Sequence, residues 1–177
     1  PWVGFKWFEQ FFSSSDFPRL IKNTLSISVT SLICSFPLPI IFALFLNEVK
    51  NNAFKRTVQT ISYLPHFISL VVICGMIKSF VASDGIIGVF YSMLTGDNIS
   101  LLNNPKAFVP IYVISGIWQS VGWSSILYLS ALSTIDAQQY EAAEIDGAGR
   151  FRKMWHITLP GLRETMVVLL ILNMGSI

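Results

Sequence analysis

"TLSISVTSLICSFPLPIIFALFL", residues 24–46, carries no charged side chain. Wound into an α-helix at about 1.5 Å per residue, a run of this length reaches roughly 35 Å, enough to cross a hydrocarbon core of about 30 Å. Lipid offers no partner to an open backbone amide, so a run that crosses it must be a helix. Pro37 and Pro39 should kink this one, a defect that neighbouring helices tolerate in a membrane.

Working outward, the pattern repeats. "ISYLPHFISLVVICGMIKSFVA" covers residues 61–82 with one charge, Lys78, and "FVPIYVISGIWQSVGWSSILYLSAL" covers 108–132 with none. A fourth run, "TMVVLLILNMGSI", starts at Thr165 and is still apolar at residue 177. Hydrophobic residues make up 53% of the chain and charged ones 12%, with a mean hydropathy of +0.59. Soluble domains carry about 25% charge, and half of that leaves too little to solvate a globular surface. The expected fold is an all-α polytopic membrane protein. The chain begins with Pro1 and ends inside an apolar run, so further segments are expected at both ends. The opening "PWVGFKWFEQFF" lacks the uninterrupted apolar region of a signal peptide.

Charge sets the orientation. The loop 47–57 holds Lys50, Lys55 and Arg56, and the segment after 132 holds Arg150, Arg152, Lys153 and Arg163. These seven basic residues fall on one side. The opposite side has four: Lys106 in the loop 83–107, beside Asp84 and Asp97, and Lys6, Arg19 and Lys22 in residues 1–23. The excess of positive charge assigns the first side, with Asn51 and Gly149, to the cytoplasm and Thr95 to the outside. The net charge of +2 is scattered over loops without a basic face, which argues against nucleic-acid binding. Cys34 and Cys74 lie inside spans and have no metal-ligand spacing.

The polar stretch 136–160 stands apart from these runs. Asp136 can cap a helix over "AQQYEAAEI", with Gln139 three residues on completing a capping box. Ala142 and Ala143 favour helix without bulk, and Gly147 is placed to end it. In "RFRKMWHI", Phe151, Met154 and Trp155 form an apolar stripe at helical spacing, and Pro160 should stop this second helix and open the next span. The result is a helix–turn–helix under the membrane with a small-residue face that another protein can approach.

Glu141-Ala142-Ala143, three residues, Gly147, nine residues, Ile157, one residue, Leu159-Pro160 resembles, at every fixed position, the EAA pattern E-A-A-x3-G-x9-I-x-L-P of permease subunits of binding-protein-dependent ABC importers. "NTLSISVTSLICSFPLPIIFALFLNEV", "FKRTVQTISYLPHFIS" and "YEAAEIDGAGRFRKMWHITLPGL" look like the polysaccharide-type sugar permeases of Gram-positive bacteria. The resemblance implies a MetI-like transmembrane domain of a type I importer, with a core of six helices that lacks its first and last here. It implies a multi-pass subunit of the bacterial cell membrane that takes up oligosaccharides. The implied partners are a second, related permease, two ATPase subunits and an external solute-binding lipoprotein. Glu141, Ala142, Ala143, Gly147 and Arg150 would dock in the ATPase cleft, and Ile157, Leu159 and Pro160 would set the exit into the next span. ATP and magnesium would be held by the ATPase partners, since the chain has no phosphate-binding loop of the G-x-x-x-x-G-K-[ST] type. No catalytic residue, metal or cofactor is implied for this chain.

For a sugar pathway, the run 108–132 offers Trp118, Gln119, Trp123, Ser124 and Tyr128: aromatic faces to stack on sugar rings, and amide or hydroxyl groups to bond their hydroxyls. The plainer reading of the same aromatics is packing and interfacial anchoring. Lys78 is expected to snorkel to the headgroups, and His66 to be structural. Two other classes compete. An intramembrane hydrolase would pair His66 with a serine, but no nucleophile turn or orienting acid is evident. An ion-coupled transporter needs ionisable groups at membrane depth, and only Lys78 qualifies.

Overall fold

The computed structural model describes residues 2–96 and 100–175, and every regular element among them is a helix. Residues 176–177 of the last expected span lie outside the described residues, as do 97–99 of the expected loop 83–107, Asp97 included.

A short aromatic helix, α1 (Lys6–Phe12), leads into α2 (Phe17–Ser35) and α3 (Pro37–Glu48). Phe36 keeps helical torsion angles (φ −71°, ψ −45°), so α2 runs on into α3 with only a local loss of helical hydrogen bonds where Pro37 and Pro39 have no N–H. Together they form a 32-residue stretch, Phe17–Glu48, long and apolar enough to cross a membrane. It reaches beyond the expected 24–46 at both ends, because helix continues through residues too polar to count as apolar.

The expected span 61–82 is not one helix. An amphipathic helix, α4 (Asn52–Tyr63), rises out of the basic loop, capped by the Asn51 carboxamide oxygen, which accepts from the Phe54 N–H at 3.1 Å. It tightens into a 3-10 turn at Leu64–Phe67, extends at Ile68 and Ser69, and restarts as α5 (Leu70–Val81). Pro65 is the cause: it has no N–H to bond back to the preceding turn. Beyond α5, the expected loop 83–107 contains an apolar helix, α6 (Ile86–Thr95), ended by Gly96 at φ +79°. Asp84 and Gly85 mark only a short interruption. Leu70–Thr95 is the second stretch among the described residues long and apolar enough to cross a membrane.

The centre of the bundle is α7 (Pro105–Leu132), which packs against α2, α3 and α4 and touches α11 (Arg163–Gly175). Its 28 residues suffice for a span, but its serines and Gln119 leave it less apolar than the other two stretches. The serines turn inward on their own helix: Ser115, Ser120 and Ser125 donate to the carbonyls of Tyr112, Gly116 and Gly122. Their polarity is thereby satisfied without water. Long apolar side chains such as Ile33, Phe45, Val71 and Phe90 are exposed around the periphery, as lipid-facing surfaces require. The innermost cluster is Ile40 and Ala43 of α3, Tyr128 and Leu132 of α7, and Leu162.

One contact sets the spacing of α4 and α7. Gly122 faces Ser62 so closely that a Cβ there would lie 2.1 Å from the Ser62 carbonyl oxygen. Only backbone fits, as is common where membrane helices approach on small residues. Gly122→Val should push the two helices apart at a cost of about 1–3 kcal/mol. The check is thermal unfolding of the purified full-length permease in detergent, where the variant is expected to melt several degrees below wild type. An unchanged melting temperature would show that the contact does not set the packing.

Candidate functional site

The polar stretch folds as a hairpin of two helical arms. The first, α8 (Ala137–Ile145), starts on Asp136, whose carboxylate accepts from the Gln138 N–H at 2.9 Å. It closes on Gly147 at φ +72°, a left-handed conformation that glycine adopts freely. There the Ala148 N–H donates to Ala143 O at 2.8 Å and the Gly147 N–H to Glu144 O at 3.0 Å. This pair of bonds satisfies the last carbonyls of the helix.

The second arm begins with α9 (Arg150–Lys153), widens into a π-helical turn at Met154–Thr158, and ends with α10 (Leu159–Gly161). Helix therefore runs past Pro160, and the break comes at Leu162, where the chain bends 57° into α11. A proline inside a regular helix clashes with the carbonyl four residues back. The wider turn directly before Pro160 relieves that crowding, which is why Pro160 does not act as the expected stop.

Two links brace the arms. Tyr140 Oη and Thr158 Oγ1 share a hydrogen bond at 3.0 Å, with Thr158 buried. The Lys153 ammonium pairs with the Glu144 carboxylate. Its hydrogen bond and charge hold that carboxyl below the usual carboxylate range. The stabilisation from this pair is present above the unfolded-state value and fades as pH falls through the depressed one.

The expected coupling residues divide by position. Glu141, Ala142, Gly147, Arg150 and Pro160 are exposed, Ala143 and Ile157 are half-buried, and Leu159 packs on the central cluster. Ile145 at 87% exposure and Phe151 at 83% stand out from the hairpin with nothing covering them among the described residues. Leu162, fully buried, roots the hairpin beneath α3 and α7. It went unnoticed in the sequence, although Leu159, Leu162 and Met166 recur at helical spacing.

The pathway candidates do not converge. Trp118 borders an apolar cavity with Ile73, Met76 and Phe80. Trp123, Ser124 and Tyr128 border a second cavity of about 490 Å³ with Ser35 and Asn173. Tyr128 is mainly a core residue. Trp123 stacks flat on His66, ring centres 4.6 Å apart, with Phe67 edge-on. His66 is thus held by an aromatic face, and among the described residues no hydrogen bond joins it to a serine. Gln119 lines a third cavity, about 530 Å³, between α2, α5 and α7, and Lys78 lines it too.

The chain matches, over residues 35–177, the family described as "Binding-protein-dependent transport system inner membrane component". It is 49% identical over 176 residues to Protein LplB of Bacillus subtilis, covering 99% of this chain and 55% of that protein. It is 45% identical over 176 residues to the polygalacturonan/rhamnogalacturonan transport system permease protein YteP of the same organism, again covering 99% and 55%. The chain thus spans about half the length of these curated relatives. Its structure superposes with a TM-score of 0.92, at 43% identity, on a chain from the crystal structure of a bacterial ABC transporter involved in the import of the acidic polysaccharide alginate. That match covers 99% of this chain and 62% of the other. A second alginate transporter structure, in complex with an alginate pentasaccharide-bound periplasmic protein, superposes with a TM-score of 0.91 at 42% identity, covering 98% and 60%. With a family match over most of its length, this chain has the MetI-like permease fold and belongs to the inner-membrane components of binding-protein-dependent transport systems.

Proposed function

We propose that this chain is the pathway-forming part of a permease subunit in an ATP-driven importer of oligosaccharides, coupled through the hairpin 136–160 to a separate ATPase. The observation that carries this reading is the hairpin itself: a braced, capped polar element with an uncovered outer face, rooted by Leu162 in the core of the bundle. Such an element is suited to receive a push from outside the membrane and deliver it to α3 and α7. The similarity to YteP and to the alginate transporters supports an oligosaccharide cargo.

In this reading Glu141, Ala142, Ala143, Gly147 and Arg150 meet the ATPase, and Ile157, Leu159 and Pro160 carry the chain toward α11. ATP and magnesium belong to two ATPase subunits. A second, related permease completes the pathway, and an external binding lipoprotein delivers the sugar. The assembly sits in the bacterial cell membrane of a Gram-positive cell. Among the described residues no hydrogen bond joins His66 to a serine, so the hydrolase reading lacks a paired nucleophile and base.

Gly147→Asp should abolish coupling and leave insertion intact. No atom lies within 4 Å of a Cβ at Gly147, although its φ of +72° strains any side chain placed there, so the variant also loosens the turn. A carboxylate pressed unpaired into a partner cleft costs several kcal/mol, where about 1.4 kcal/mol already changes an association constant tenfold. Co-purification of the ATPase with the full-length variant is expected to fall more than tenfold, with membrane yield unchanged. Wild-type retention of the ATPase and of sugar-stimulated hydrolysis would remove the hairpin from the coupling role.

Orientation is tested separately. With Cys34 and Cys74 replaced by serine, Thr95→Cys should react with an impermeant maleimide on intact cells, and Asn51→Cys and Gly149→Cys only after lysis. Labelling at 149 but not at 95 on intact cells would reverse the topology.

A further inference from the structure

The cavity between α2, α5 and α7 is bordered by a charge that the coupling mechanism does not use. Lys78 lies on α5 one turn beyond Cys74, and both border the space between α2, α5 and α7. Among the described residues lining that space, Lys78 is the only side chain charged at neutral pH. It makes no hydrogen bond or ion pair with another described residue. Lys78 is itself exposed, and it borders an open-sided cavity of about 530 Å³, within the range of pockets that bury small ligands.

The other walls are suited to a carbohydrate. Phe108, Tyr112, Gly116 and Ser120 recur every four residues along one face of α7. The rings of Phe108 and Tyr112 lie nearly parallel, centres 6.2 Å apart, and Gly116 leaves room beside them. Gln119 adds an amide from α7. On α2, the buried Ser31 Oγ borders the same space without a hydrogen-bond partner among the described residues, although buried hydroxyls are normally paired.

A neutral sugar has no use for a cation here, whereas a carboxylate entering a largely apolar cavity needs one. Resting on the reading of this chain as an oligosaccharide permease, we propose that Lys78 is a specificity-determining residue for acidic oligosaccharides. Its ammonium pairs with a uronate carboxylate, while the α7 face of Phe108, Tyr112, Gly116 and Ser120 carries the sugar ring. Trp118 and Trp123 border other cavities and take no part in this site.

The test uses the full-length permease with its ATPase and binding protein in proteoliposomes. Uptake and stimulated ATP hydrolysis are measured with a galacturonate trisaccharide and with a neutral arabino-oligosaccharide. Wild type should respond to the acidic probe. Lys78→Gln should lower that response roughly tenfold, the loss of one charge-assisted hydrogen bond at a partly solvated site, and Lys78→Arg should retain it. Unstimulated hydrolysis and membrane yield serve as the folding control and should not change. A wild-type response to the neutral probe alone overturns the proposal. So does a Lys78→Gln variant that behaves as wild type, or an equal loss in Lys78→Gln and Lys78→Arg, which would mark a structural role. If neither oligosaccharide stimulates wild type, the oligosaccharide-permease reading fails, and the role of Lys78 with it.

Discussion

A backbone amide in hydrocarbon has no water to bond, and this requirement governs where the chain bends. Within and beside the apolar stretches, regular helical bonding is interrupted at Phe36, at Ile68 and Ser69, at residues 82–85 and at Leu162. The first three have a local reason. Prolines at 37 and 65 remove a donor that would otherwise be stranded. Gly85 and Ser69 allow the extended step between helices. The serines of α7 follow the same rule, spending their hydroxyl protons on their own helix. A central helix can therefore be polar in composition and still sit among apolar neighbours.

The hairpin answers to a different solvent and is built differently. Its first arm ends in the left-handed turn at Gly147, its second arm is widened ahead of Pro160, and Tyr140 and Lys153 tie the two together. None of these devices is needed to cross a bilayer. They hold a small polar element to one shape while its outer face, with Ile145 and Phe151 uncovered, faces away from the rest of the chain. Leu162 joins the two regimes, because it ends the hairpin and fills the base of the bundle.

Much of this was legible in the sequence, and the misses have physical causes. The all-helical fold, the cap at Asp136 and the turn at Gly147 follow from local rules that no tertiary contact overrides. The uninterrupted helix expected over 61–82 ignored Pro65, because an apolar count weighs transfer energy and not the donor a proline lacks. The helix Ile86–Thr95 was hidden by Asp84, a single charge that falls in the gap between two helices. Pro160 looked like a stop because nothing in the sequence announces a π-helical turn. The bond from Tyr140 to Thr158 and the cavity around Lys78 depend on segments far apart in the chain, and no periodicity reports such meetings. The aromatic candidates Trp118 and Trp123 scattered because residues five apart on a helix face different directions.

The two braces also determine how compliant the hairpin is. A lone helix joined to a bundle at one end swings about that joint and dissipates an applied load in bending. Here the links from Tyr140 to Thr158 and from Lys153 to Glu144 lie at different points along both arms, so independent hinging of the arms would have to break one of them. With Leu162 fixed under Ile40 and Leu132, the element behaves as a stiff bracket. In the proposed coupling role, a displacement of its outer face would reach α3, α7 and α11 through the root at Leu162.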